Sequence, residues 1–153
     1  MLAGSPGAIA DGLQRLLGAA ARVVGGAGRF DRGLAHLLHS GLRWLDVPQR
    51  VIRGLGVTVR RCLRGRAPRC LVVCCHPASD VAGRRRLRSS GRRHLVVPPH
   101  RRGALGRRAF SVAGPVAWSA LPGGLRDPSL SADGFRRKLE THLFRNALGH
   151  LAH

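Results

Sequence analysis

The sequence predicts a mainly α-helical protein with two short candidate strands. Apolar residues recur at helical spacing, residues that start and stop helices bound those segments, and runs typical of strands are short. With 153 residues, the chain is large enough for one domain with a modest core. We expect a helical segment over residues 1–75, an arginine-rich, partly disordered connector over 76–108, a C-terminal module with a tryptophan turn and a helix over 109–145, and a tail over 146–153.

The first predicted helix lies near the N-terminus. Ser5 can cap it, Pro6 suits its first position, and Gly25-Gly26 would end it. One face at helical spacing is apolar and consists of Ile9, Leu13, Leu16, Leu17, Ala20 and Val24.

Two further helices are predicted before residue 64. Asp31 begins a short helix that breaks near Ser40-Gly41, and Asp46-Val47-Pro48 opens a longer one. Gly54 and Gly56 weaken the longer helix by roughly 1 kcal/mol each relative to alanine. Its apolar face comprises Val51, Ile52, Leu55, Val59, Cys62 and Leu63.

The two candidate strands are Leu95-Val96-Val97 and Phe110-Ser111-Val112. Two short strands alone are marginally stable, so they would have to pack on the helices. Leu71-Val72-Val73 fits either a helical turn or a short strand. Gly114-Pro115 predicts a break, and Trp118 follows in a short turn or single helical loop bracketed by prolines.

The C-terminal helix has clear start signals. Ser131 is a natural N-cap, and Asp133 falls in the first turn, where the helix dipole favours an anion. Leu130 can pack against Phe135 across the cap. The apolar stripe of the helix consists of Phe135, Leu139, Leu143 and Leu148. Trp118 is expected to anchor the core with Phe110 and Phe135, in preference to stacking on a nucleic acid.

The charge balance is strongly basic, with 27 basic residues against 7 acidic ones. A field of this sign attracts polyanions such as nucleic acid or an anionic membrane surface. A GC-rich coding region is the alternative origin of the arginine excess. No apolar run reaches the roughly 20 residues of a membrane span, and no secretory signal is evident, so secretion is not expected. A nuclear or cytoplasmic location is favoured over a mitochondrial one.

Arginine clusters between residues 84 and 108 form the candidate nucleic-acid-binding site. Neutralising phosphates releases counterions, which gives sequence-independent and salt-dependent binding. Because no aromatic residue lies between Trp44 and Phe110, contact with phosphates is expected rather than stacking on bases. The alternatives are a solvated basic loop or a nuclear-localisation signal. The site residues are Arg84, Arg85, Arg86, Arg88, Arg92, Arg93, Arg101, Arg102, Arg107 and Arg108.

The cysteines do not form a recognised metal or catalytic motif. Zinc sites usually combine two separated ligand pairs, whereas Cys70, Cys74, Cys75 and His76 are crowded together. Reduced, partly buried thiols are therefore expected, and no metal, cofactor or small-molecule substrate is implied. No serine or cysteine has histidine and carboxylate partners at a recognisable spacing, so no catalytic residue is predicted.

Several short motifs occur in an order that resembles the region after the polymerase core of reverse transcriptases from non-LTR (LINE-type) retrotransposons. The resemblance covers about residues 2–145. Its motifs are Leu2-Ala3-Gly4, Leu13-Gln14-Arg15, Ala19-Ala20-Ala21-Arg22, Phe30-Asp31-Arg32-Gly33-Leu34, His39, Trp44-Leu45-Asp46-Val47, Arg61-Cys62-Leu63, Arg84-Arg85-Arg86-Leu87-Arg88-Ser89, and residues 106–144.

This resemblance implies a polymerase fragment without polymerase chemistry. Such enzymes hold two metal ions with aspartates, two of them adjacent, and this chain contains no Asp-Asp pair. The expected function is thus a truncated remnant of an RNA-directed DNA polymerase that is not an enzyme and binds RNA or DNA backbone non-specifically at most. Its alternatives are a non-functional product of a decayed element and, less favoured, a mitochondrially targeted basic protein.

Overall fold

The computed structural model describes residues 7–28, 30–81, 93–99 and 104–149. As predicted, these residues are mainly helical. Single-turn elements occur at Leu37–Gly41 (π) and at Ala78–Asp80 and Gly123–Leu125 (3₁₀). None of the helices in the described ranges is long and apolar enough to cross a membrane. The helices are α1 (Gly7–Gly25), α2 (Leu34–His36), α3 (Val47–Leu63), α4 (Arg69–Val72), α5 (Ala104–Arg108), α6 (Phe110–Ala120) and α7 (Ala132–Gly149).

Helix α1 ends at the predicted glycines, whereas its predicted cap at Ser5 lies outside the described residues. Gly26 has a φ of 65°, and the N–H of Ala27 donates to the carbonyl of Arg22 at 3.0 Å, which is a Schellman-type ending. Much of the predicted apolar face is exposed, with Leu16 at 67% and Val24 at 62%. Because the small residues Gly18 and Ala21 are buried instead, α1 contacts its neighbours through a different stripe.

The second helix begins later than predicted. The carboxylate of Asp31 accepts the N–H of Gly28 at 2.6 Å, which closes a turn before the helix. Gly33 follows with a φ of 97°, a left-handed conformation that glycine adopts without strain, and α2 starts at Leu34. The helix then continues as the π-turn to Gly41, in agreement with the predicted break.

Helix α3 begins after Asp46 as predicted, but a side chain from α1 caps it. The N–H of Val47 donates to Gln14 Oε1 at 2.9 Å, and Gln14 Nε2 donates to Asp46 Oδ1 at 2.5 Å. The other carboxylate oxygen of Asp46 lies 3.3 Å from His39 Nε2. Asp46 therefore connects α1, the π-turn and α3 instead of capping its own helix.

The core lies where α3 packs against α6 and α7. Gly56 allows close approach to α7, because a Cβ atom there would lie 3.3 Å from Leu139 Cδ2. Gly114 does the same for α6, where a Cβ atom would lie 3.1 Å from both Val59 Cγ2 and Phe110 Cε2. The buried cluster comprises Leu45, Val59, Cys62, Cys75, Leu95, Trp118, Leu121, Leu125, Phe135, Leu139 and Leu143.

Neither predicted strand forms within the described ranges. Residues Leu95-Val96-Val97 make only an isolated antiparallel bridge, between Leu95 and Pro77. Proline lacks the N–H that a longer ladder requires, and two prolines follow at Pro98-Pro99, so the pairing ends there. Leu71-Val72-Val73, which was ambiguous in sequence, lies at the end of the helical turn α4.

The other predicted strand and the predicted Gly-Pro break are replaced by one continuous helix. Phe110-Ser111-Val112 forms the first turn of α6, which passes through Gly114-Pro115 and reaches Ala120. Proline removes one internal hydrogen bond of the helix. The helix persists because Val112, Pro115 and Trp118 are all buried by this conformation.

Trp118 is a core residue, as predicted. It is 2% exposed, and its ring centroid lies 6.0 Å from that of Phe135 with the planes tilted by 36°. Phe110, the other expected neighbour, is partly buried and packs against the same cluster. Aromatic pairs at this separation add about 0.5–1.5 kcal/mol beyond the area they bury.

The predicted features of α7 are also confirmed. Ser131 Oγ accepts the N–H of Gly134 at 3.0 Å, as an N-cap does, and Asp133 lies in the first turn. Phe135, Leu139 and Leu143 are each at most 2% exposed. The helix continues to Gly149, beyond the predicted boundary at residue 145.

The close packing of α3 makes a prediction about two glycines. We expect Gly114→Ala to destabilise the fold by about 1–3 kcal/mol, because the added methyl group overpacks the α3–α6 contact. Gly54→Ala should stabilise it by about 0.5–1 kcal/mol, since Gly54 is exposed within α3 and nothing lies within 4 Å of the added atom. Urea unfolding of both variants measures the two changes in the free energy of unfolding. If both changes have the same sign, the packing described is contradicted.

Candidate nucleic-acid interface

Three of the ten predicted arginines lie in the described part of the chain: Arg93, Arg107 and Arg108. The latter two form the last turn of α5, where cations complement the helix dipole. Arg107 is exposed and Arg108 is half-buried. The other seven, Arg84, Arg85, Arg86, Arg88, Arg92, Arg101 and Arg102, lie outside the described residues.

Arg93 has a structural role as well as an exposed charge. Its φ of 53° is in the left-handed region, which is uncommon for residues other than glycine. The backbone carbonyl accepts the indole N–H of Trp118 at 3.2 Å, and the guanidinium lies 3.3 Å from Asp127 Oδ1. These two contacts hold the residue against the end of α6 and the loop that precedes α7.

Arg60 is a buried cation that sequence reasoning did not single out. It is 6% exposed on α3, and its guanidinium lies 4.6 Å from the ring centroid of Phe135. Its Nη2 donates to the carbonyl of Leu130, and Nη1 lies 3.4 Å from that of Asp127. Burial lowers the pKa of the Arg60 guanidinium, and the nearby charge of Arg64 lowers it further.

Arg64 directly follows the last residue of α3 and binds the same loop. Its Nη2 is 2.7 Å from the carbonyls of both Pro128 and Leu130. Unlike Arg60, it is exposed and retains contact with solvent. Together the two arginines occupy several backbone carbonyls of residues 127–131, the loop before α7.

Asp127 is the acidic residue next to these arginines. Its Oδ1 accepts the N–H of Ser129 at 2.9 Å, and this backbone bond is the largest factor that lowers the pKa of Asp127. Hydrogen bonding and attraction from Arg93 lower the pKa further. The carboxylate is therefore charged at neutral pH and partly neutralises Arg93.

A cavity of about 230 Å³ lies between these elements. We call it the arginine-rimmed cavity. Much of its wall is apolar, while guanidinium groups and one hydroxyl group supply the polar part. The exposed residues Arg64 and Arg93 lie at its mouth. The lining consists of Leu63, Pro77, Leu95, Trp118 and Pro128 with Arg60, Arg64, Ser79, Arg93 and Arg126.

A second group of exposed arginines surrounds the end of α3. We call Arg61, Arg64, Arg66 and Arg69 the basic patch; all four are exposed. No acidic residue lies between residues 47 and 79, so the patch has no local counter-charge in sequence. The sequence signal for this patch is the dense run of arginines at residues 60–69, which is shorter than the clusters downstream.

Most acidic residues in the described ranges are engaged in local contacts. Glu140 binds Arg53 with an Oε1–Nη2 distance of 2.6 Å, and Asp133 lies 3.7 Å from Arg136. Asp46, Asp127 and Asp31 make the contacts given above. Because these carboxylates serve local structure, the large excess of arginine determines the surface field.

The cysteines are free thiols, as expected. Cys62 and Cys75 are buried, and Cys70 is exposed. Burial raises the pKa of the Cys75 thiol to about 12, and it also raises the pKa of Cys62. Among the described residues, no group of three or more histidine, cysteine, aspartate and glutamate side chains is arranged to hold a metal ion.

Comparisons with protein-family models, curated proteins and solved structures give no match to this chain.

The buried position of Arg60 predicts an asymmetry between neighbouring arginines. Arg60→Ala should destabilise the protein by about 2–4 kcal/mol, because it leaves loop carbonyls without their donor and removes the contact with Phe135. Arg61→Ala removes the same charge from an exposed position and should change stability by about 0.5 kcal/mol or less. Denaturant unfolding measures the stability of both variants. Equal losses of stability would contradict the structural role assigned to Arg60.

Proposed function

We propose that this protein is a non-catalytic nucleic-acid-binding module that contacts phosphate backbones without reading base sequence. The observation that carries the proposal is the basic patch, in which four exposed arginines project near the end of α3 without a nearby acid in sequence. Arginine suits this role because its planar guanidinium can bind two phosphate oxygens at once.

The arrangement of the described residues connects this patch with the predicted arginine clusters. Ser79 and Arg93 flank the segment that contains Arg84 to Arg92, and both line the arginine-rimmed cavity. Arg64 belongs to the patch and lines the same cavity. The two described ends of that segment therefore lie beside Arg64 of the patch.

The mode of binding follows from the aromatic residues near the patch. Trp118 is only 2% exposed and packs against Phe135, so it does not provide an open stacking platform. A surface that offers guanidinium groups without exposed rings favours phosphate contact over base stacking. Binding should therefore tolerate any sequence and weaken steeply with salt.

We further propose that the chain is a remnant of the post-polymerase region of a LINE-type reverse transcriptase. The resemblance supports this, and several of its residues have structural roles that a retained scaffold would preserve. Asp46 joins three elements, Cys62 is buried in the core, and Trp118 packs against Phe135. The missing aspartate pair supports loss of polymerase chemistry.

The binding proposal predicts the effect of three substitutions in the patch. At about 100 mM salt, the triple variant Arg61→Gln, Arg66→Gln, Arg69→Gln should bind labelled RNA or DNA at least ten-fold more weakly. The slope of log affinity against log salt should fall by about 2–3, since each lost phosphate contact removes roughly 0.7–0.9. Fluorescence anisotropy across a salt series measures both quantities.

A matched control removes three charges from α7, with Arg137→Gln, Lys138→Gln and Arg145→Gln, all at exposed positions. This variant should retain most of the affinity and the slope. If both triple variants lose affinity equally, net charge alone governs binding and the patch has no special role. If the unaltered chain fails to bind at about 100 mM salt, the non-functional alternative is favoured.

The origin is tested by the genomic sequence beside the coding region. A polymerase region with its adjacent aspartates just upstream, in frame or damaged, would support a remnant. A unique promoter and introns would argue against it.

Mitochondrial targeting is the weaker alternative, because Gln14 attaches α1 to Asp46 and Val47 and thereby makes α1 part of the fold. Fusion of residues 1–30 to a reporter tests it, and a diffuse or nuclear signal would exclude it.

A further inference from the structure

We infer that the arginine-rimmed cavity binds a single nucleotide, with its base inside the cavity and its phosphate at the mouth. This inference rests on the proposed function and specifies a ligand for part of the same surface. It extends that function, because a patch of exposed arginines needs only phosphates, whereas a cavity also selects what is attached to the phosphate.

The size of the cavity restricts the ligand. Its volume of about 230 Å³ is below the roughly 300–1,000 Å³ of sites for drug-sized molecules. It therefore suits one compact ring system better than a long acyl chain or two stacked bases. A base in a duplex is stacked and paired, so only an unpaired or terminal nucleotide can enter.

The residues that line the cavity can contact both the apolar faces and the polar edge of a nucleobase. Leu63, Leu95 and Trp118 form an apolar part of the wall. A nucleobase that packs against it is removed from water, which favours binding. Ser79 belongs to the same lining; its hydroxyl donates to Asp80 Oδ1 at 3.2 Å and can still accept a hydrogen bond from a base edge.

Two guanidinium groups at the mouth provide the phosphate site. Arg64 uses only Nη2 in its bonds to the loop carbonyls of Pro128 and Leu130, which leaves its other N–H groups for a phosphate. Arg93 is 51% exposed at its side chain and is paired with Asp127 at 3.3 Å. A bound phosphate would compete with that carboxylate for Arg93, so Arg64 is the main phosphate ligand.

Fluorescence provides a direct measurement, because the chain has two tryptophans and only Trp118 lines the cavity. In a Trp44→Phe background, uridine 5′-monophosphate should quench Trp118 emission along a saturable curve. Uridine without phosphate and inorganic phosphate alone should each bind at least ten-fold more weakly. An equal response to inorganic phosphate would overturn the base-binding part of the inference.

Charge-matched variants separate the cavity from the general field. In the same background, Arg64→Ala should weaken binding of uridine 5′-monophosphate at least ten-fold, whereas Arg137→Ala, at an exposed position of α7 outside the patch, should change it less than two-fold. Arg64→Lys, which keeps the charge and one donor group, should restore part of the loss. Equal weakening by Arg137→Ala and Arg64→Ala would overturn the assignment.

Two further variants do not depend on removing an arginine. Ser79→Phe fills the cavity and should abolish nucleotide binding while the affinity for long single-stranded RNA falls less than three-fold. Asp127→Asn removes the competing carboxylate while its side-chain oxygen can still accept the N–H of Ser129, so nucleotide affinity should rise about three-fold. An unchanged affinity in both variants would contradict a site in this cavity.

The source of the nucleotide is distinguished by competition with short single strands. A strand with a 5′-phosphate that displaces uridine 5′-monophosphate better than the unphosphorylated strand would identify a strand end as the ligand. Displacement by neither strand would overturn a phosphorylated end and leave the free nucleotide. If long RNA binds but uridine 5′-monophosphate does not, the cavity inference fails and the proposed function stands. If uridine 5′-monophosphate binds but long RNA does not, the cavity inference stands and the proposed function fails.

Discussion

The buried guanidinium of Arg60 is the contact that ties α3, α7 and the loop before α7 together at a single side chain. It projects from α3, lies over the ring of Phe135 on α7, and donates to the loop that leads into α7. A buried cation is destabilising unless its donors are satisfied and its charge is compensated. The carbonyls of residues 127–131 and the face of Phe135 supply much of this compensation, so the loop, the ring and α3 must be positioned together.

The placement of acidic residues explains how a chain with so large a positive charge can fold. Arg53 binds Glu140 and joins α3 to α7, while Asp46 holds α1 and His39 near the start of α3. The Arg53–Glu140 pair neutralises charge at a contact between elements, and Asp46 joins its neighbours through hydrogen bonds. Exposed charges such as Arg61 and Arg69 remain in solvent, where water screens their mutual repulsion. Because the carboxylates are engaged in contacts between elements, arginine is the main charged group on the exposed surface.

The arginine-rimmed cavity is a consequence of how two distant segments meet. Hydrogen bonds from Ala78 N–H to the carbonyl of His94 and from Val96 N–H to that of His76 align these segments beside the end of α6. Trp118 secures the arrangement by donating to Arg93. Arg64 approaches from α3 on the other side. Apolar walls and guanidinium groups therefore come together although the residues are separated by tens of positions.

Local signals in the sequence determined the helical class, the boundaries of α3 near Asp46, the end of α1 at Gly25-Gly26 and the N-cap at Ser131, because these features depend on neighbouring residues. Local signals failed at residues 110–115, where burial against α3 selected a continuous helix. The strand predicted at residues 95–97 is reduced to one bridge, because its partner Pro77 lacks the N–H that a longer ladder requires.

Only the tertiary structure decided the roles of Arg60, Arg64 and Arg93. In the sequence they are three among many arginines, and burial or proximity to a loop carbonyl depends on residues far along the chain.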